Sequence, residues 1–371
     1  MGLVCPSHIL PLTEPSALRE GLASLFRPRA TFRIRPQLRI SLYHWLWQFA
    51  KRCRHRQMIR VGRDLQRILD FSLSEFRSLL DTHTSLRDDL TTNGLLYVLK
   101  TDLGMRSFAK TDAILSGEFG LSARRLDSDE LAAFEPSLRG PLAGAFHYPD
   151  DFSIRPDTLC SNWSGQLKKS GVRVLEHVEL TEIMRSSGRI EKVLTLDEPL
   201  EADHYVFAVG AWSRAIGTLI GHNLPVEPGK GYSVTVDGTN HSLRHPLLLP
   251  EQHVGITPFR DRIRIGSIME FAGYDTSIPE TRIAQLQNTA REFLAAPTDS
   301  VVDDPWYGWR PMTWDSLPII GRVPGLDNAT LATGHNMLGL ALAPATGRLV
   351  SQIVMETKPD IAMDAFSPDR F

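Results

Sequence analysis

The sequence predicts a mixed α/β (α+β) chain of two domains, and three observations carry that expectation. At 371 residues it exceeds the roughly 250 to 300 residues at which a single hydrophobic core stops growing. From Gly144 onward a strand, a helix and a second strand alternate, the mark of an α/β layer. Between residues 231 and 268 four short strands follow one another without a helix, a pattern that builds a mostly antiparallel sheet.

Composition narrows the function classes. With 42% hydrophobic and 23% charged residues the chain reads as an ordinary globular protein. Its apolar runs fall far short of the ~20 residues that a spanning helix needs, and residues 1–15 lack the basic start of a signal peptide. Cys5, Cys53 and Cys160 are odd in number and scattered, which speaks against a disulfide framework or a zinc site and for a cytoplasmic setting. A net charge of -2 and the absence of a reading module speak against nucleic acid. Residues 1–60 nevertheless hold eleven Lys and Arg against two Glu. Tyr43, Trp45, Trp47 and Phe49 interleave with them, so this stretch reads either as a helix with inward aromatics and solvated cations or as a peripheral contact with an anionic membrane.

The elements follow in order. Residues 1–40 are dense in Pro and Arg without a period and read as extended or loop-like, leading into a helix at 41–53. Leu65, Ile68, Leu69, Phe76 and Leu80 recur at spacings of three and four and predict a helix over 61–81. A strand at 94–99 precedes a short helix opened by Asp127-Ser-Asp-Glu and stopped by Pro136. Strands at 145–148 and 172–175 flank a helix at 156–170. A meander over 179–184, 190–196 and 205–209 comes next, then the strands at 231–236, 244–249, 253–258 and 262–268. Ser277 and Glu280 form an expected capping box for a helix ending near 293. Strands at 301–310, 319–322 and 329–333 lead into a final helix over 339–356.

Two constellations carry chemistry. The first is Gly308-Trp-Arg310-Pro-Met-Thr313-Trp-Asp315-Ser-Leu-Pro318-Ile-Ile-Gly321, followed by Ala332-Thr-Gly334-His335-Asn-Met-Leu338-Gly339-Leu340. Arg310 offers a planar, permanently charged fork that can hold a carboxylate bidentately. Gly334 and Gly339 let backbone approach a flat ring, and the helix after Gly339 turns amide donors and a positive dipole toward whatever lies there. The second constellation is Tyr205-Val-Phe-Ala-Val-Gly210-Ala-Trp212-Ser213 with Pro228-Gly-Lys-Gly231-Tyr232-Ser233, where a buried strand ends in a turn that would let backbone come close to phosphate oxygens.

In this order the motifs resemble the D-amino-acid oxidase superfamily and are most similar to its bacterial D-amino-acid dehydrogenases. The resemblance implies a two-domain flavoenzyme. An incomplete FAD-binding Rossmann-like domain spans 1–55, 145–225 and 310–371, and a mostly antiparallel substrate-binding domain spans 56–144 and 226–309. It implies that Arg310 anchors the carboxylate of a D-amino acid or related amine, that hydride passes to flavin N5, and that electrons leave to a quinone or other acceptor. Val178, Gly210, Trp212, Gly334, His335, Leu338, Gly339 and Leu340 become FAD-binding candidates, Val178 by its position on an adenine-side strand. Tyr232 and Tyr274 join Arg310 as catalytic candidates, with core packing an equally open reading for both tyrosines. His335 reads as a flavin neighbour rather than as an acid or base.

The resemblance also has a gap. Family members begin with a strand, a Gly-x-Gly-x-x-Gly turn and a helix that grip the ADP moiety. No such run occurs in this sequence, and the likeness begins roughly 40 residues into the usual family pattern. An alternative expectation is therefore a truncated, cofactor-deficient member without activity.

Overall fold

The computed structural model describes residues 1–24, 30–239, 241–295 and 300–371. Arg27 and Arg29 of the basic stretch lie outside these residues. In chain order the elements are β1 (Leu3–Val4), α1 (Pro15–Ser24), β2 (Phe32–Ile34), α2 (Ile40–Arg52), α3 (His55–Thr82), β3 (Leu95–Leu99), α4 (Asp102–Phe119), β4 (Arg124–Leu126), α5 (Ser128–Phe134), β5 (Gly144–Tyr148), β6 (Phe152–Ser153), α6 (Pro156–Lys169), β7 (Leu180–Ser186), β8 (Arg189–Thr195), β9 (Tyr205–Phe207), α7 (Ser213–Ile220), β10 (Val226–Asp237), β11 (Leu247–Leu249), β12 (Val254–Pro258), β13 (Arg262–Phe271), α8 (Glu280–Phe293), β14 (Val301–Thr313), β15 (Ile319–Arg322), β16 (Ala329–Thr333) and α9 (Gly339–Val354).

Among the described residues, one large sheet runs β14-β10-β13-β12-β11-β3-β5-β4, with β2 alongside β13. Its neighbours are antiparallel except β11 with β3 and β13 with β2. Successive residues of a strand point to opposite faces, and here both faces are covered, so β10 is buried from Val226 to Val236. On one face Val234, Ile263 and Ile265 meet Leu286, Ala290 and Phe293 of α8.

A second core joins α3 to α9. The buried stripe of α3 runs Met58, Val61, Leu65, Ile68, Ser72, Phe76 and Leu80, the three-and-four spacing of an inward helix face. Ser72 interrupts the apolar run for a reason: its hydroxyl donates to the Ala341 carbonyl at 2.6 Å and accepts from the Ala345 amide at 3.3 Å. It thereby bridges α9 beside Pro344, which has no N–H to give. A third core gathers β7, β8, β9, β15, β16 and α7 around Ile190, Phe207, Ile220 and Leu331, with β15, β16 and β9 forming a three-stranded sheet.

Several expectations are corrected. The predicted strand at 172–175 does not form. Val172, Val174 and Leu175 are exposed and no described strand lies alongside to complete their backbone hydrogen bonds. The strand at 145–148 exists but pairs antiparallel with β3 and β4 in the large sheet, not in a βαβ unit. Residues 1–40 contain the helix α1 and two short strands rather than loop alone. Helix α4 has no counterpart in the predicted elements. Ser277 does not cap α8, because its N–H and hydroxyl both turn to Asp275 and the cap position falls to Pro279. In α2, Trp45 and Phe49 are buried, and Trp45 Nε1 donates to the Pro225 carbonyl at 2.9 Å, while Tyr43 and Trp47 stay exposed. No helix among the described residues is long and apolar enough to cross a membrane.

Candidate functional site

The site is assembled where the end of β14 meets the turn before α9. In β14, Arg310 lies opposite Gly229 of β10, and Gly231 follows two residues on, so all three share one face of the sheet. The Arg310 side chain lies across Gly231, where a methyl group would overlap the guanidinium. Glycine is therefore what leaves room for the fork.

The partner strand aims it. Lys230 pairs with Glu270 but Tyr232 pairs with Ser267, so β13 carries an extra residue in a bulge. Ser267 and Ile268 take φ of 127° and 56°, a region that costs a β-branched residue about 1–3 kcal/mol. The bulge points the Ile268 carbonyl inward, and Arg310 Nη1 donates to it at 3.0 Å. No carboxylate among the described residues pairs with Arg310. Burial lowers its pKa to about 10, so it keeps its charge at neutral pH with most of its donors uncommitted. The same charge, with Arg264, helps burial push the Met1 amino group down to about 5.

Asn336 ties this strand to the helix. It adopts φ of 53°, a left-handed backbone that Asn tolerates better than most residues. Its amide donates to the Pro311 carbonyl at 3.1 Å. Its Oδ1 accepts from the Thr313 amide at 2.9 Å, and its Nδ2 donates to the Gly334 carbonyl at 2.9 Å. Gly334 takes φ of 71°, and an added Cβ would meet Thr313 Cγ2 at 2.7 Å. Both features require glycine there.

Beyond this turn α9 begins without a side-chain cap at Leu338, so first-turn amides near Gly339 and Leu340 remain available to an acceptor. An added Cβ at Gly339 would touch only His335 at 3.7 Å. His335 is driven down to about 4 by burial and is neutral. Its Nε2 lies 2.9 Å from Thr346 Oγ1, whose own proton goes to the Leu342 carbonyl, which places the ring proton on Nε2.

Gly210, at φ 53°, opens into space free of neighbours within 4 Å of a built Cβ. Its turn is joined to the end of β16, because Thr333 Oγ1 donates to the Gly210 carbonyl at 3.2 Å and Ser213 bonds both partners. Trp212 is half exposed and meets Trp309 edge to face at 5.7 Å.

The structure thus brings together Arg310, Gly334, His335, Leu338, Gly339 and Leu340, with Gly210 and Trp212 on the adjoining turn. Tyr232 and Val178 stand elsewhere, and Tyr274 borders the adjoining turn. Tyr232 points to the opposite face from Arg310, is 2% exposed and donates to Glu270 at 3.0 Å, which makes it a member of the α8-side core. Tyr274 donates to the Ala211 carbonyl at 2.7 Å, within the Gly210–Trp212 turn, and meets Trp309 edge to face. Val178 is half-buried in the irregular stretch before β7, not on a strand. Asn336 and the Ile268 carbonyl are members of the site that the motifs do not flag. A Gly-His-Asn sequence after a strand is the signal for the first, since Asn is a natural left-handed turn residue.

Three comparisons bear on this arrangement. The family described as "DAO: FAD dependent oxidoreductase" matches residues 29–353. A D-amino acid dehydrogenase of Neisseria gonorrhoeae (strain NCCP11945) is 30% identical over 376 residues, covering 100% of this chain and 89% of the relative. One from Vibrio vulnificus (strain CMCP6) is 30% identical over 364 residues, covering 95% and 85%. Among solved structures, glycine oxidase from Geobacillus kaustophilus superposes with a TM-score of 0.76 at 24% identity, covering 83% of each chain. L-proline dehydrogenase from P. horikoshii gives 0.70 at 21%, again covering 83% of each. The likeness to both structures establishes the fold.

Proposed function

Because this chain belongs to the family of FAD-dependent oxidoreductases, we propose that it oxidises D-amino acids or related amines, with Arg310 holding the substrate carboxylate. The observation that carries this reading is a half-buried guanidinium with one backbone contact and no acidic partner among the described residues. Such a group gains most from a planar anion that fills two of its donors at once.

Gly334 at positive φ, the open space beside Gly210 and the uncapped start of α9 form a cradle that side chains would fill, and these features fit the ring of FAD. Gly334, His335, Leu338, Gly339 and Leu340 would hold it, and the α9 amides would favour its electron-rich edge. When bound, FAD supplies a two-electron acceptor for the amine. Arg310 orients the substrate, and the Ile268 carbonyl fixes Arg310. His335, neutral and donating to Thr346, packs under the turn and carries no proton to the reaction. A quinone or other acceptor takes the electrons onward.

The experiment is direct. Protein purified with FAD is expected to show a flavin absorption spectrum and to reduce a dye acceptor when D-amino acids are added. In Arg310→Lys the KM rises about tenfold or more, since a lysine loses the bidentate geometry, while the bound flavin is unchanged. A colourless protein indifferent to FAD, or an active enzyme whose KM ignores Arg310→Lys, would overturn the reading.

A further inference from the structure

The start of α8 holds chemistry that the oxidative site does not use. With Ser277 turned to Asp275, the cap position of α8 falls to Pro279, which has no side-chain acceptor to offer the first-turn amides. A 14-residue helix thus presents the positive end of its dipole uncapped. Beside it is a hollow of about 110 Å³ walled by Arg33, Arg35, Glu270, Thr281 and Arg282. Since one water needs roughly 10–15 Å³ of such space, the hollow can take an anion of several heavy atoms.

Its charges do not balance. Arg33 lies 3.1 Å from Glu270 and Arg35 2.9 Å from Asp275. Lys230 is wholly buried, donates to the Ser277 carbonyl and stands 3.8 Å from Asp275. Arg282, only 4% exposed, donates through Nη1 to the Ala30 carbonyl and to Gln285. Its Nη2 is buried and, among the described residues, makes no hydrogen bond. The nearest carboxylate oxygen, Glu270 Oε2, is 3.7 Å away and already accepts from Tyr232. Among the described residues four cations therefore surround two buried or half-buried carboxylates, and Glu280 is exposed. A guanidinium donor left without an acceptor costs more than the average hydrogen bond contributes.

We propose that this hollow binds a small oxyanion, phosphate or a carboxylate, on the face of the large sheet opposite Arg310. The anion completes the bond that Arg282 Nη2 lacks and accepts from the first-turn amides of α8. Helix start and arginine forks are the two features that recognise such groups. β13 links the two faces: Glu270 faces the hollow, while Ile268, two residues earlier, holds Arg310.

The test is titration calorimetry of the full chain with sodium phosphate and with sodium malonate, each against sodium chloride at equal ionic strength. Saturable binding of phosphate or malonate is expected, and whichever binds identifies the source. Arg282→Gln removes the unpaired donor but also disturbs a buried group. Arg35→Gln and Thr281→Glu, at more exposed positions, serve as the variants whose folding is checked by circular dichroism. Each is expected to weaken binding about tenfold, and Arg310→Lys to leave it intact. Failure of both anions to bind beyond chloride overturns the proposal. So does affinity unchanged in both surface variants, or affinity lost in Arg310→Lys.

Discussion

Arg310 depends on a neighbour that has no side chain. Gly231→Ala, on a strand whose backbone any residue can adopt, sets a methyl group into the space the guanidinium occupies. The expected result is a folded enzyme whose KM for the amino acid rises about tenfold or more, as for loss of a charge-assisted pair; steady-state kinetics beside a thermal melt separates this from unfolding. Arg310, Gly334 and Gly339 were legible because each belongs to an ordered motif whose chemistry is local. The Ile268 carbonyl was not, since its direction comes from a bulge set by pairing 232 with 267, a long-range register that leaves no mark in a five-residue window. Tyr232 shows the complementary limit. A strand buried on both faces gives no periodic signal for which side chain looks at which layer, so Tyr232 could be placed on β10 but not on the correct side of it.

Elements fix what residues only occupy. The Asn336 turn joins the end of β14 to the start of α9 through Pro311, Thr313 and Gly334. Asn336→Ala removes the side-chain bonds and places a residue less tolerant of left-handed backbone at φ 53°. A loss of about 1–3 kcal/mol is expected, read as a lower urea midpoint with an unchanged slope; a midpoint equal to the parent's would show that the turn holds without it. Among helices, α3 was legible from apolar spacing and α5 from its acidic first turn and the stop at Pro136, to which the structure adds a capping box between Asp127 and Glu130. Helix α4 was not. Its buried residues are only Met105, Leu115 and Phe119, and Leu103 is turned outward, so the stripe is too sparse to read. Ser277 was misread because Asp275, two residues before it, competes for the same donors.

At the scale of the whole molecule, stability acquires a pH dependence from one buried carboxyl. Asp151 is raised from its ordinary 3.8 to about 7, first by burial and then by Asp150, against hydrogen bonds from the Ser7 amide and hydroxyl. Between about pH 4 and pH 7 the folded chain holds a proton that the unfolded chain has released, so stability falls across that window and the cost is fully present above it. The effect is on the order of 4 kcal/mol at most. Asp151→Asn, which retains an acceptor for the Ser7 amide, is expected to flatten the decline in urea midpoint between pH 5 and pH 8; an identical decline in the variant would assign it to other groups. The layer architecture was legible in the sequence, while the assignment of β5 to the large sheet was not, because its partners are β3 and β4 and β3 joins the rest of the sheet only through β11, far along the chain. That pairing has a temporal consequence. Leu96 of β3 meets Leu247 of β11, so during synthesis the strands β3, β4 and β5 must wait, with an open edge, for a segment made about 150 residues later. The interval in which this edge is bare, rather than the finished enzyme, is when the polypeptide is most exposed to self-association.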